Sequence, residues 1–324
     1  MSVVAETDYS LPISTLLKTE TAAAHEEAEH SQGAGWLTRG ELDKDEYIRF
    51  VMMLYHVYET LEQGLDRHAS HPVLAPIYNP TLFARTQSLS ADISHLLQVP
   101  ESSWQSHPMH AQLTSNPPAP FSAYTARLRK LGESQPDALL AHAYVRYLGD
   151  LSGGQFIKRR IAKAYGLEDG DGLSFYDFKQ LGGNASGTIG DMKKIKEWYR
   201  DGMDKGVGND PALKARIIDE AQIAFQLNTG LFTALRSPKV FISQPTPAAL
   251  GDPVTPDSDS PPSTPLLSMK SVEAMQATSG FSMSSVAAFL LALCLAQLLI
   301  VFGGLPGKLE AVLHSLASLF SASS

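Results

Sequence analysis

His25 and Glu29 stand four residues apart in TETAAAHEEAE, the spacing at which a helical carboxylate can orient an imidazole and leave its second nitrogen free for a metal. A surface pair without function has the same spacing. Lys18 lies seven residues before His25, close to two turns, so both side chains share one face about 10 Å apart along the axis. A second group lies in AHAYVRYLGDLSGGQFIKRR, residues 141–160, where Gly149, Gly153 and Gly154 interrupt a helical pattern. Each glycine costs a helix about 1 kcal/mol against alanine, so something must offset the loss. Glycines at i and i+4 strip one face of side chains, which suits a flat ligand lying on the backbone or a second helix packed close. Asp150 borders that face, with Arg146 one turn earlier as an ion-pair partner. Lys196 and Arg200, also i and i+4, flank the apolar stripe Ile195, Trp198, Tyr199 and Met203. Such a surface fits an anionic, largely apolar ligand, or a solvated basic face.

The elements that must carry these residues read as helices. Ser14 or Thr15 is expected to cap a first helix carrying Leu16, Leu17, Ala24 and Ala28. A second opens on the acidic Asp43, Asp45 and Glu46 and runs to about Gly64, with Phe50, Met53, Leu54, Val57 and Leu61 as its apolar stripe. Further helical stretches cover 121–131, 136–165 and 192–203. The last has Asp210 as cap and Pro211 in its first turn, then repeats Leu213, Ile217, Ala221, Phe225, Phe232 and Leu235. No period-two run competes, so the pattern predicts one all-α, multi-helix domain over 11–236, preceded by a flexible N-terminus over 1–10.

Composition narrows the function. The 324 residues are 44% hydrophobic with a net charge of -8, which excludes a wholly disordered or collagenous chain and argues against nucleic acid as the main partner. One cysteine, Cys294, allows no intramolecular disulfide and no multi-cysteine zinc site, as expected inside a cell. The N-terminus lacks the basic and apolar regions of an export signal. Residues 286–302, VAAFLLALCLAQLLIVF, carry no charge, and with their flanks over 281–305 they are long enough to cross a bilayer as a transmembrane helix. Only the short tail 306–324 follows, so a tail anchor with the domain in the cytosol is expected. Between domain and anchor, 237–280 holds eight prolines and many serines, a disordered tether spanning a few tens of Å.

Together these segments resemble the heme oxygenase family. The densest match is HAYVRYLGDLSGGQ over 142–155; TETAAAHEEAE around His25, LYHVYETLE from Leu54, GLSFYDF from Gly172 and AFQLN from Ala224 follow the family's order. The resemblance implies a heme that is both cofactor and substrate, held between a proximal and a distal helix. His25 would be the axial iron ligand, with Glu29 holding its ring. Gly149 and Gly153 would let the distal helix bend over the porphyrin. Asp150 would anchor the proton-delivering water network, joined by Tyr58, Tyr124, Arg146 and Asn228. Lys18, Tyr144, Lys196 and Arg200 would meet the propionates, and Phe225 would pack near the ring.

The implied activity is a monooxygenase that opens heme to biliverdin, carbon monoxide and ferrous iron with O2 and electrons from NADPH. The chain shows no Gly-rich nucleotide fingerprint, so a partner must supply those electrons. The resemblance implies an NADPH-dependent diflavin reductase on the same membrane, that of the endoplasmic reticulum, and allows biliverdin reductase as a second partner. A non-catalytic heme sensor or store is the alternative, and the intact Gly149, Asp150 and Gly153 speak against it. Thiamine-salvage hydrolases share this scaffold but need a cysteine in the domain, which is absent here. Two departures stand out. Ala22 occupies a position often basic in animal relatives, so one propionate contact is expected to be missing. The glycine-rich 179–191 is longer than usual and has no evident role.

Overall fold

The computed structural model describes residues 7–239, except 168 and 184. The expected membrane segment and tail, and nearly all of the expected tether, lie outside the described residues.

The first predicted helix is two: α1, Ile13–Glu20, and α2, Ala22–His30, parted at Thr21 with φ -104° and ψ 7°. Thr21 is buried and its hydroxyl turns back onto the Leu17 carbonyl, the local competition that makes threonine a poor helix interior. Neither Ser14 nor Thr15 caps α1. The cap position is Pro12, and Ser14 instead gives its amide and hydroxyl to the carboxylate of Asp204, far along the chain. After the short α3, Gln32–Arg39, comes α4, Lys44–Arg67, with Asp45 and Glu46 in its first turn as predicted. Its stripe from Phe50 to Leu61 is buried; removing each such side chain from water stabilises the fold by roughly 1.5–3 kcal/mol.

Three further helices, α5 (Pro80–Phe83), α6 (Thr86–Leu97) and α7 (Pro108–Ser115), were not legible in the periodicity, being too short or too polar to show a stripe. Then follow α8, Ala119–Ser134; α9, Leu139–Ser152; α10, Gly154–Tyr165; α11, Ile189–Val207; and α12, Pro211–Thr233. The stretch expected as one helix over 136–165 is a 3-10 turn followed by α9 and α10, which part at Gly153. Asp210 caps α12 as predicted, accepting from the amides of Ala212 and Leu213. Among the described residues there is no strand, only an isolated bridge between Lys179 and Ser186. That bridge folds the glycine-rich 179–191 back on itself and delivers Thr188 to the start of α11. There Thr188 and Asp191 form a reciprocal capping box.

Helix α4 packs on α6 and α8, while α12 packs on α2, α8 and α9. The latter contacts place the two helices that carry the chemical groups, α2 and α9, against one common support.

Candidate functional site

Helix α2 presents His25 outward, with its side chain 63% exposed. Its ring meets Phe225 of α12 edge-on, centroids 5.8 Å apart, which restrains the plane of the imidazole. Glu29 Oε2 stands 3.7 Å from Nδ1, an electrostatic neighbour rather than a hydrogen-bonded one. Beside Phe225 a small apolar cluster of Ala28, Val145 and Ala224 joins α2, α12 and α9, with Tyr144 packed against it.

The three glycines of the α9–α10 junction divide in function. A Cβ built at Gly149 would meet nothing within 4 Å, and one at Gly153 only the Gly149 carbonyl at 3.6 Å. Both residues are exposed, so among the described residues no helix packs on that face. Gly154 is buried instead, and its Cβ would stand 3.3 Å from the Tyr176 ring. The packing explanation therefore applies to Gly154 alone, and Gly149 and Gly153 leave a bare strip of main chain, as a flat ligand requires. The break is buttressed from behind by the segment 172–178. Gln155 donates to the Tyr176 carbonyl at 2.6 Å, and Asp92 of α6 accepts from the amides of Ser174 and Phe175 at 2.8 and 2.7 Å.

Directly beside the bare strip the chain buries a polar network. Tyr58 of α4 donates to one oxygen of Asp150; Arg146 donates to the other at 3.3 Å, to the Tyr58 oxygen at 3.2 Å, and to the Asn228 carbonyl oxygen from α12. Burial pushes the Asp150 carboxyl up, while Arg146, the Tyr58 hydroxyl and Arg85 hold it down; the balance lies above the ordinary aspartate range. Burial also works against the charge of Arg146, but Tyr58, Asp150 and Tyr124 outweigh it and keep the guanidinium protonated. Tyr124 is fully buried close by, and its hydroxyl has no partner among the described residues. It is thus a polar atom turned inward without a mate, which fits a site completed by water or ligand.

At the other end of the site stand the cations. Lys18 of α1 and Arg200 of α11 are exposed and Lys196 is half-buried. Their neighbours Lys193 and Lys194 pair with Glu197 and Asp191, whereas among the described residues these three have no carboxylate at ion-pair distance. Partial burial and the adjacent Arg200 both lower the pKa of Lys196, a penalty that an incoming anion would relieve. The Tyr144 hydroxyl lies beside Thr21 and within reach of the Arg200 charge.

Some of the network has no signature in local spacing. Arg85 is buried and donates to the carbonyls of Leu82, Phe83, Phe175 and Asp177, placing a fixed positive charge behind Asp150. His142, one turn before Arg146, is fully buried, with Nε2 at 2.8 Å from Glu220 Oε1 and Nδ1 unpartnered among the described residues. Burial holds His142 neutral against the pull of Glu220, so Nε2 carries the proton and Nδ1 keeps a bare lone pair.

Comparison with known proteins agrees with this geometry. The family model described as heme oxygenase matches residues 11–234. Heme oxygenase 1 of Bos taurus is 35% identical over 232 residues, covering 71% of this chain and 74% of the relative. The solved heme oxygenase of Leptospira interrogans superposes with a TM-score of 0.60 at 34% identity, covering 69% of this chain and all of that one. Heme oxygenase-1 of Synechocystis, solved in complex with heme, gives 0.58 at 32% identity, covering 69% and 91%. With a bare strip of main chain beside a buried acid, a histidine on a helix packed against the same support, and a family match over residues 11–234, this chain belongs to the heme oxygenase family.

Proposed function

We propose that the protein is a heme-degrading monooxygenase that opens heme to biliverdin, carbon monoxide and ferrous iron, using O2 and electrons from NADPH delivered through a reductase. The single observation carrying this reading is the open face at Gly149 and Gly153 with Asp150 buried at its edge. Heme storage requires neither an exposed pair of helix-breaking glycines nor a carboxyl raised by burial.

The residues fit the group. Bound heme supplies an iron that activates dioxygen and a meso carbon that receives the oxygen. His25, facing outward with no hydrogen bond at Nε2 among the described residues, would hold the iron, and Phe225 restrains the plane of its imidazole. Gly149 and Gly153, exposed and without side chains, would let the α9–α10 junction approach the macrocycle closely. Asp150 would hold and hand on protons through water; burial raises its carboxyl above the ordinary aspartate range, and Arg146 and Tyr58 fix its two oxygens. Lys18, Tyr144, Lys196 and Arg200 bind the propionates, and the missing charge at Ala22 leaves this clamp with fewer cations. The electron donor is an NADPH-dependent diflavin reductase, and the product passes to a biliverdin reductase. The uncharged run 286–302 inserts in the endoplasmic reticulum membrane beside the reductase; its length and lack of charge support this placement.

Incubating the purified protein with hemin, diflavin reductase, NADPH and air tests the reading. Loss of the heme absorption band with appearance of biliverdin and carbon monoxide is expected. A stable heme complex that survives repeated reduction in air would establish the binding protein instead.

A further inference from the structure

Helix α1 lacks a cap of its own, and another helix provides one. Asp204 of α11 accepts from the Ser14 amide at 2.8 Å through Oδ1 and from the Ser14 hydroxyl at 2.7 Å through Oδ2. Two contacts from one carboxylate fix both position and rotation of the first turn, and the negative charge sits at the positive end of α1. The residues on either side make this contact consequential. Lys18 follows Ser14 by four residues, so both lie along one stripe of α1. Arg200 and Lys196 precede Asp204 by four and eight, so these three share one stripe of α11. The helices pack together, and Thr21, just past the end of α1, lies with Arg200 beside Tyr144. Helix α1 thus starts at Asp204 and runs back toward Arg200, antiparallel to α11, which brings Lys18 level with the Arg200 turn.

We propose that Asp204 is a positioning residue that sets the register of α1 on α11 and thereby aligns Lys18 with Arg200 and Lys196 into one carboxylate clamp. The proposal rests on the reading that these cations receive the propionates. Asp204, engaged with Ser14, acts through Lys18 rather than as a ligand to the propionates. A second anchor, Lys214 of α12 donating to the carbonyls of Tyr9 and Leu11, holds the segment before α1 independently. Loss of Asp204 therefore loosens the register without detaching the helix.

The test is a hemin titration of the full chain, read by absorbance, for the parent, Lys18→Ala, Asp204→Ala and the double variant. It is repeated with iron protoporphyrin dimethyl ester, whose propionates carry no charge. Lys18→Ala and Asp204→Ala are each expected to weaken hemin binding about 5- to 10-fold, and the double variant no more than about 2-fold beyond Lys18→Ala. With the ester, Asp204→Ala and the parent should bind alike. Ser14→Ala, which removes only the hydroxyl contact, should weaken hemin about 2-fold and serves if Asp204→Ala fails to fold. Parent-like hemin affinity in Asp204→Ala, full additivity in the double variant, or an equal loss with the ester would each overturn the proposal. An unaffected Lys18→Ala would show instead that the propionate reading of Lys18 is wrong, and the proposal would fall with it.

Discussion

Asp150 takes its chemical character from its surroundings. A lone exposed aspartate is ionised and solvated near neutral pH, whereas here burial raises the carboxyl and Tyr58 and Arg146 hold one oxygen each. Removing the acid leaves the bare strip intact, so Asp150→Ala is expected to bind hemin with parental affinity while biliverdin output falls on the order of 100-fold. Paired hemin titration and single-turnover assays measure both quantities. His25 should differ in that its loss can be made good from solution. Its ring rests against Phe225 and otherwise faces solvent, so His25→Ala should fold normally, lose turnover by on the order of 100-fold or more, and recover in part when free imidazole fills the space. Full activity without imidazole would refute the ligand assignment. At this scale spacing revealed Asp150 with Arg146 and His25 with Glu29, since a helix brings i and i+4 together. It could not reveal that Tyr58 and Asn228 complete the network, because those partners lie 92 and 82 residues from theirs and only packing joins them. Family resemblance, not local physics, placed those two.

The α9–α10 junction shows how a helix can be weakened for a purpose. Gly149 has helical backbone and open space at its Cβ, so alanine there meets no steric objection in the apoprotein. Gly149→Ala should raise the resistance of the apoprotein to urea by about 0.5–1 kcal/mol through helix propensity while it lowers heme affinity and turnover. A variant that gained stability with unchanged affinity would show that the open face is not the ligand's. The cost of the break is met partly from behind, where Asp92 holds the segment 172–178. Burial raises the Asp92 carboxyl to about 6, against the pull of the Phe175 and Ser174 amides, with Asp177 adding to the rise. An acid whose pKa is higher folded than unfolded binds more protons in the native state between those two values. Stability should therefore fall as pH rises from about 4 to about 6, by on the order of 2 kcal/mol. Urea denaturation across that range should show the slope in the parent and a flatter profile in Asp92→Asn. Sequence periodicity found α4 and α12, long helices with continuous stripes. It fused α1 with α2 and α9 with α10, because an apolar period runs through a break at Thr21 or Gly153 without interruption.

At the scale of the molecule, a heme-degrading domain whose sequence shows no Gly-rich nucleotide fingerprint would depend on how often it meets an electron donor. Residues 237–280 put 44 residues, eight of them proline, between the domain and the proposed membrane segment 281–305, and a flexible chain of that length would reach roughly 33–40 Å. Confining domain and reductase to one surface within that reach replaces a bulk encounter by an effective concentration that can approach the millimolar range. Shortening the chain to residues 1–239 removes the tether and the apolar run but keeps every residue of the proposed site. The shortened protein should therefore match the full chain when a small diffusible reductant supplies electrons. With reductase embedded in vesicles and submicromolar protein it should be slower by at least about 10-fold, because each electron then waits on a collision from solution. Flotation of the full chain with vesicles provides the independent check. Equal rates with embedded reductase, together with a full chain that stays in the aqueous fraction, would separate the chemistry of this domain from any membrane and leave electron delivery to docking alone.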